Sequence, residues 1–241
     1  MTSVFLTAEW RYLAMLNYRV PPELLLPLVP SGTQLDLWRG AAYVSVVGFL
    51  FRDTRLLGVP IPFHRTFEEV NLRFYVRREI GGENRRGVTF IRELVPRRAI
   101  ATVAALAYNE PYRALPMRHR FDLTPRGSRP TRVEYGWRAK SGWAGLHVAA
   151  NGDATPLVPG SEEEFITQHY WGYTAQRDGG TIEYEVRHAG WKLWPVHDCE
   201  LHGDLAAVYP PELVGHLSAP PHSALLADGS AVSVHAPVRL S

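Results

Sequence analysis

The chain has 241 residues, 46% of them hydrophobic, which is enough to bury a sizeable core, and its formal net charge of +2 is too mild to demand a polyanionic partner. Cys199 is the one cysteine, which excludes an internal disulfide and a cysteine-rich zinc site and fits a reducing compartment. The lysines are Lys140 and Lys192, so Schiff-base chemistry has only two addresses.

In chain order, Met1 to Trp10 lacks a basic region followed by an apolar core, so no secretory leader is expected. Thr7 is placed to cap a short turn through Trp10, and Tyr12 to Val20 is a mostly apolar segment. Pro22 to Val29 predicts a short helix, with Pro at its first position, Glu23 in its first turn and Pro30-Ser31-Gly32 closing it. Gln34 to Trp38 and Ala41 to Phe51 predict a hairpin about Arg39-Gly40. The second of these is the longest apolar run, interrupted by Ser45 and Gly48 and far short of the ~20 residues of a membrane helix. We therefore expect a soluble, cytoplasmic protein with no membrane partner.

After a loop from Asp53 to Thr66 comes the clearest strand. Val70, Leu72, Phe74 and Val76 alternate with Asn71, Arg73, Tyr75 and Arg77, the period of a strand with one apolar face. Gly81-Gly82 gives the turn, and Val88 to Val95 returns as its partner. In regular phase Arg92 shares a face with Val88, Phe90 and Leu94, and Glu93 shares one with Thr89, Ile91 and Val95. Pro96 then ends the strand and starts a helix, whose apolar stripe runs from Ala99 to Ala107 and which stops by Glu110, ahead of Pro111. Strands follow at His119 to Leu123, Arg132 to Ala139 and Gly142 to Ala149. A capping box at Ser161 and Glu164 opens another helix. Thr181 to His188, Trp191 to Val196 and Glu200 to Leu205 predict strands, Pro211 to Leu217 a helix, and Ala224 to Val238 a hairpin about Asp228-Gly229. The polar loops Thr124 to Thr131 and Asn151 to Gly160 are ordinary surface connections, so we expect a single domain over residues 1–241. Its class is α+β, mainly antiparallel β, built around a curved or closed sheet.

The candidate site is the strand-to-helix junction, where Arg92, Glu93, Arg97 and Arg98 crowd together. Cations in the first turn of a helix oppose its dipole by up to ~1 kcal/mol, so Arg97 and Arg98 need an offset: Glu93, Glu68 or Glu69, or a bound anion. The competing reading is a solvated arginine pair. Strand phase puts Glu69 with Asn71 and Arg73 but Glu68 with the apolar residues, so one of the two is a candidate interior acid; the competing reading makes both ordinary hairpin salt bridges. The ten histidines form no metal motif, and no metal or cofactor is expected; His64, His169 and His197 are the acid–base candidates. Eight arginines from Arg73 to Arg98 raise nucleic-acid binding as a rival, which the interleaved Glu79, Glu83 and Glu93 weaken.

Several segments carry a family resemblance: Thr7-Ala-Glu-Trp-Arg11, Leu16-Asn-Tyr18, Pro62-Phe-His-Arg65, Phe67-Glu-Glu-Val-Asn-Leu-Arg-Phe-Tyr-Val76, Phe90-Ile-Arg-Glu93, Val95-Pro-Arg-Arg98, Tyr108-Asn-Glu110 and Glu162-Glu-Glu-Phe-Ile166 through His169-Tyr-Trp-Gly-Tyr173. Across nearly the whole chain it resembles a family catalogued as a domain of unknown function (family 2071), a branch of the acetoacetate decarboxylase-like superfamily. The resemblance implies a β-barrel with an internal, mostly apolar cavity. In the decarboxylase a Gly-Arg-Glu segment precedes Tyr-Pro-Lys-Lys, whose first lysine forms the Schiff base. The matching positions here are Ile91-Arg-Glu93 and Val95-Pro-Arg-Arg98, so Arg97 stands where the lysine would be. Arginine stays protonated and forms no iminium, which argues against acetoacetate decarboxylase activity. What the resemblance leaves is a lyase- or isomerase-type reaction on a small anionic or carbonyl ligand. Glu69, Glu93 and Arg97 are its candidate catalytic residues, and Arg92, Arg98, Glu68, His64 and Tyr108 are candidate ligand contacts. A non-catalytic sensing domain is the alternative, and self-association into a homo-oligomer stays open.

Overall fold

A computed structural model describes residues 3–60, 65–96, 111–124 and 129–240. The apolar segments of the amino-terminal half become long strands. β1 (Val4–Val20) absorbs the turn expected at Thr7 to Trp10, because Thr7 is held on both sides, by Ser233 and by Arg55. Two 3-10 turns, Pro22–Leu24 and Leu26–Leu28, take the place of the helix expected there, since Pro27 lacks the N–H that an α-helix would use. Next come β2 (Gln34–Leu35), β3 (Ala42–Leu56), β4 (Val59–Pro60), β5 (Phe67–Ile80) and β6 (Glu83–Val95). Arg39-Gly40 closes only a single bridge between Trp38 and Ala41, and the expected hairpin gives way because β2 pairs with β5 instead. The β5–β6 hairpin forms as expected, with Gly81 and Gly82 at φ 58° and 82° in its turn.

The helix expected after Pro96 lies outside the described residues. The chain continues as β7 (Tyr112–Ala114), β8 (Met117–Leu123), β9 (Pro130–Ala139), β10 (Gly142–Ala150) and β11 (Thr155–Pro156). The helix Glu162–Thr167 starts at its expected cap, where Ser161 Oγ accepts the Glu164 N–H at 3.2 Å. Then follow β12 (Trp171–Ala175), β13 (Thr181–His188), β14 (Lys192–Trp194), β15 (Val196–His202), the helix Pro211–Leu217, β16 (Ser223–His235) and β17 (Val238–Arg239). The hairpin expected at Asp228-Gly229 is overturned, because β16 runs through it as one strand against β1. Gly229 has φ 93° there, and a Cβ on it would lie 2.0 Å from the Trp10 carbonyl oxygen.

Seven strands pair in the order β16–β1–β3–β5–β6–β12–β13, and β13 pairs back to β16, so the sheet closes into a barrel. The pairings around the ring are antiparallel except β6 with β12. A second antiparallel sheet, β15–β10–β9–β8, packs on the outside. Its Val133, Trp137 and Leu146 share a core with Leu16, Val46 and Leu72, which identifies those ring residues as the barrel's outer face. The alternate residues, among them Met15, Val47, Phe49 and Phe67, pack into a separate core with Phe165 and Ile166 of the short helix and form the inner face. Both faces of β5 are therefore buried, and its polar alternation lines a lumen rather than solvent.

Candidate active site

On the inner face, Leu225, Met15, Val47, Asn71 and Glu93 lie in register across five adjacent strands, and Tyr112 of β7 stands opposite Glu93. The next row is Ser223, Asn17, Ser45, Arg73 and Phe90. An apolar stretch of strand on either side thus carries polar groups into the interior at two levels. Glu93 is 1% exposed, Asn71 2% and Glu69 3%. Asn71 Nδ2 donates to Glu69 Oε1 at 3.1 Å, and the Tyr112 hydroxyl donates to Glu69 Oε2 at 3.4 Å. Beyond Glu69 the wall is aromatic: Phe51 stacks on Phe67 at 4.6 Å, and Trp10 meets Phe49 edge-on at 5.2 Å.

The predicted acids part company. Glu69 and Glu93 meet on the inner face, whereas Glu68 points to the outer layer, 3.2 Å from His119 Nδ1 and close enough to Tyr135 to add to the burial that holds that phenol protonated. Arg92 also leaves Glu93. A β-bulge inserts Ile91 between Phe90, opposite Arg73, and Arg92, opposite Leu72, so the regular phase assumed for β6 breaks there. Arg92 consequently faces outward with Leu72 and Leu94, donates from Nε to the Val208 carbonyl at 3.0 Å, and has its guanidinium pKa lowered by burial and by Arg113. Arg97, Arg98, His64 and Tyr108 lie outside the described residues. His169 is buried against Tyr75, and His197 is exposed on β15.

Asn71, Arg73 and Tyr112 were not singled out from sequence. The signal was there in the alternation Glu69, Asn71, Arg73, but it means an interior row only once the polar face of β5 is known to be buried. A hydrogen-bonded chain supports this wall. Tyr75 OH lies 2.6 Å from Ser45 Oγ, which donates to Asn17 Oδ1 at 2.7 Å. Asn17 Nδ2 donates to Ser223 Oγ at 3.1 Å, and Ser223 donates to Glu162 Oε1 at 2.6 Å.

Other candidates fall away. Both lysines are exposed, Lys140 in the β9–β10 turn and Lys192 on β14, so neither reaches the lumen. Among the described residues, no group of three His, Cys, Asp or Glu side chains is arranged to hold a metal ion. Arg78 and Arg85 pair with Glu183, and Arg86 pairs with Asp36, which breaks the hairpin's arginines as a continuous basic stripe. A cavity of about 650 Å³ opens on the outer sheet between Arg132, Glu134, His147 and Glu200, where Arg132 pairs with Glu134 and His147 lies 3.9 Å from Glu200. No described helix is long and apolar enough to cross a membrane.

Comparison with known proteins agrees with the fold. The sequence profile of a family described as an uncharacterised conserved protein, domain of unknown function 2071, matches residues 7–231. The uncharacterised protein YqjF of Bacillus subtilis strain 168 is 37% identical over 68 residues, a match spanning 28% of each chain. Among solved structures, acetoacetate decarboxylase from Legionella pneumophila superposes with TM-score 0.66 at 13% identity, covering 99% of this chain and 88% of that one. The enduracididine biosynthesis enzyme MppR complexed with pyruvate gives 0.67 at 13%, covering 100% and 92%. An acetoacetate decarboxylase-like enzyme from Sphingomonas wittichii RW1 gives 0.65 at 15%, covering 98% and 92%. At these identities the likeness shows the fold alone.

Proposed function

The chain belongs to this family of uncharacterised conserved proteins, and on that footing we propose that it is a small-molecule-binding barrel running lyase- or isomerase-type chemistry on a small carbonyl or carboxylate compound. The observation that carries the reading is the buried inner row of Glu93 and Asn71 with Glu69 beside it, in a chain whose two lysines both lie outside the lumen. Burying a carboxylate costs several kcal/mol, so two on one inner wall argue for acid–base work.

In this reading the ligand carbonyl lies near the two carboxylates. Glu93 or Glu69 removes a proton from the carbon beside it, and the electron pair moves onto the carbonyl oxygen. Arg97, at the position matching the decarboxylase lysine, meets that oxyanion as a fixed cation, with Arg98, His64 and Tyr108 completing the proposed ligand set. The carboxyl group then returns its proton, either to another carbon in an isomerisation or to a departing hydroxyl, which leaves as water. No iminium forms at any stage.

Proton exchange tests it. With pyruvate or acetoacetate in D2O, the protein should speed loss of the proton α to the carbonyl, as read by NMR. Glu93→Gln should slow that exchange by about 10²–10⁴-fold while leaving binding in place. Arg97→Ala should lose binding with little change in melting temperature; a variant that still binds and merely melts earlier would make the arginine structural. Binding without exchange would favour a sensing domain.

A further inference from the structure

Three polar atoms on the inner-face alternation of β5 have no hydrogen-bond partner: Asn71 Oδ1, Arg73 Nε and, towards the strand end, Arg77 Nε; the first two flank the acids. The Asn71 amide is held one way round, because Nδ2 donates to Glu69 Oε1 and the flipped amide would set its oxygen against that carboxylate. Oδ1 is thus presented as an acceptor, and leaving it buried and unsatisfied opposes folding unless a ligand group meets it. Arg73 donates one N–H to the Ile166 carbonyl at 3.3 Å and leans over the Tyr75 ring at 5.7 Å. No carboxylate among the described residues lies within ion-pair distance of it, although Arg78, Arg85 and Arg86 of the same hairpin each have one.

Position along the strand orders these groups. Glu69, Asn71 and Arg73 alternate on one face, spaced by roughly 6.6 Å per step. The lumen therefore runs from Glu69 at one end, through the level where the Asn71 acceptor stands opposite Glu93, to the cationic side chain of Arg73, with Arg77 beyond it on the same face. A ligand carboxylate would be repelled by Glu69 and Glu93 and drawn to Arg73, where the guanidinium fork can hold it. An O–H a few bonds away would meet Asn71 Oδ1 and leave the carbon next to it facing the acids.

We propose that Arg73 anchors the carboxylate, and Asn71 accepts the O–H, of a small hydroxy carboxylate or the enol form of a small oxo carboxylate. The assignment rests on the lumen being the ligand site, and it deepens that reading by naming which groups of the ligand are recognised and by what. Arg73 is a specificity-determining contact here, with the proton transfer left to the acids.

The test uses lactate and 3-hydroxybutyrate, their primary amides, and propionate and butyrate, titrated calorimetrically against the full chain. The acids should bind at least about tenfold more tightly than the amides, and the hydroxy acids several-fold more tightly than the unsubstituted acids. Arg73→Gln should erase the acid-over-amide preference, and Asn71→Val the preference for the hydroxyl. If Arg73→Gln fails to fold, Arg73→Lys serves: it should keep the preference but weaken the acids about tenfold, because a point charge replaces the fork. An acid-over-amide ratio unchanged in Arg73→Gln, or acid affinity unchanged in Arg73→Lys, overturns the anchor while the lumen stands. A wild type that binds none of the six overturns the ligand class, and the proton-exchange assay then reports separately on whether the lumen is catalytic.

Discussion

His169 illustrates what a single buried residue does in this barrel. Its ring stacks on Tyr75 at 4.6 Å, and Arg86 approaches Nε2 at 3.4 Å as a donor, which assigns the proton to Nδ1. Burial, then Arg86 and Arg73, hold its pKa well below the ordinary histidine value, and burial lowers that of His188 as well. A base depressed in the folded state takes up protons first in the unfolded chain, so stability falls as pH drops below ~6.5, by up to about 1.4 kcal/mol per pH unit for His169, with His188 acting in the same direction. Melting temperatures measured from pH 8 to 5 should show this slope, and His169→Phe, which keeps the stacking, should flatten it. Glu162 acts in a lower window. Burial raises its pKa, but hydrogen bonds from Ser223 and Tyr43 and the nearby His222 outweigh that and lower it overall. Its stabilisation is then present above ~4.3 and lost as pH falls through its folded value. Glu162→Gln should be less stable than wild type at pH 7, with the gap closing at pH 3; a gap independent of pH would mean that the carboxylate charge is not what matters.

At the scale of elements, the features hardest to see in the sequence are those set by neighbours distant along the chain. Gly48 sits inside an apolar run with no local reason to be glycine. A Cβ there would lie 2.5 Å from the Tyr135 ring, so Gly48 is the notch that lets the outer sheet approach β3. Gly48→Val should cost about 1–3 kcal/mol, read as several degrees of melting temperature. Gly229 marks the place where turn chemistry misleads, since Asp-Gly reads as a hairpin tip but serves here to let β16 pass against the Trp10 backbone. The Ile91 bulge did the same to phase, because period-2 counting through Arg92 and Glu93 gives the wrong inward set once one residue is inserted. By contrast the β5–β6 hairpin, the Ser161 cap and the helix Pro211–Leu217 were legible, because their signals are local: paired glycines, a hydroxyl before an acidic first turn, and a proline at a helix start.

At the scale of the whole molecule, closure of seven strands and a second sheet outside them decide which polar residues are interior. With both lysines on the surface, borohydride trapping with pyruvate or acetoacetate should leave no adduct at Lys140 or Lys192 by mass mapping; an adduct at either would reopen covalent catalysis. With the hairpin arginines tied to Glu183 and Asp36, duplex or single-stranded DNA should not retain the chain even at low salt. The sequence by itself determined the β-rich class, the family resemblance, an arginine rather than a lysine at position 97 and the strand carrying Glu69. These follow from residue identity and short-range periodicity. Only the tertiary structure decided that Glu69 and Glu93 share one wall with Asn71 and Arg73, while Glu68 and Arg92 turn outward. Which face of a strand is interior depends on what packs against it, and where the phase slips depends on the partner strand.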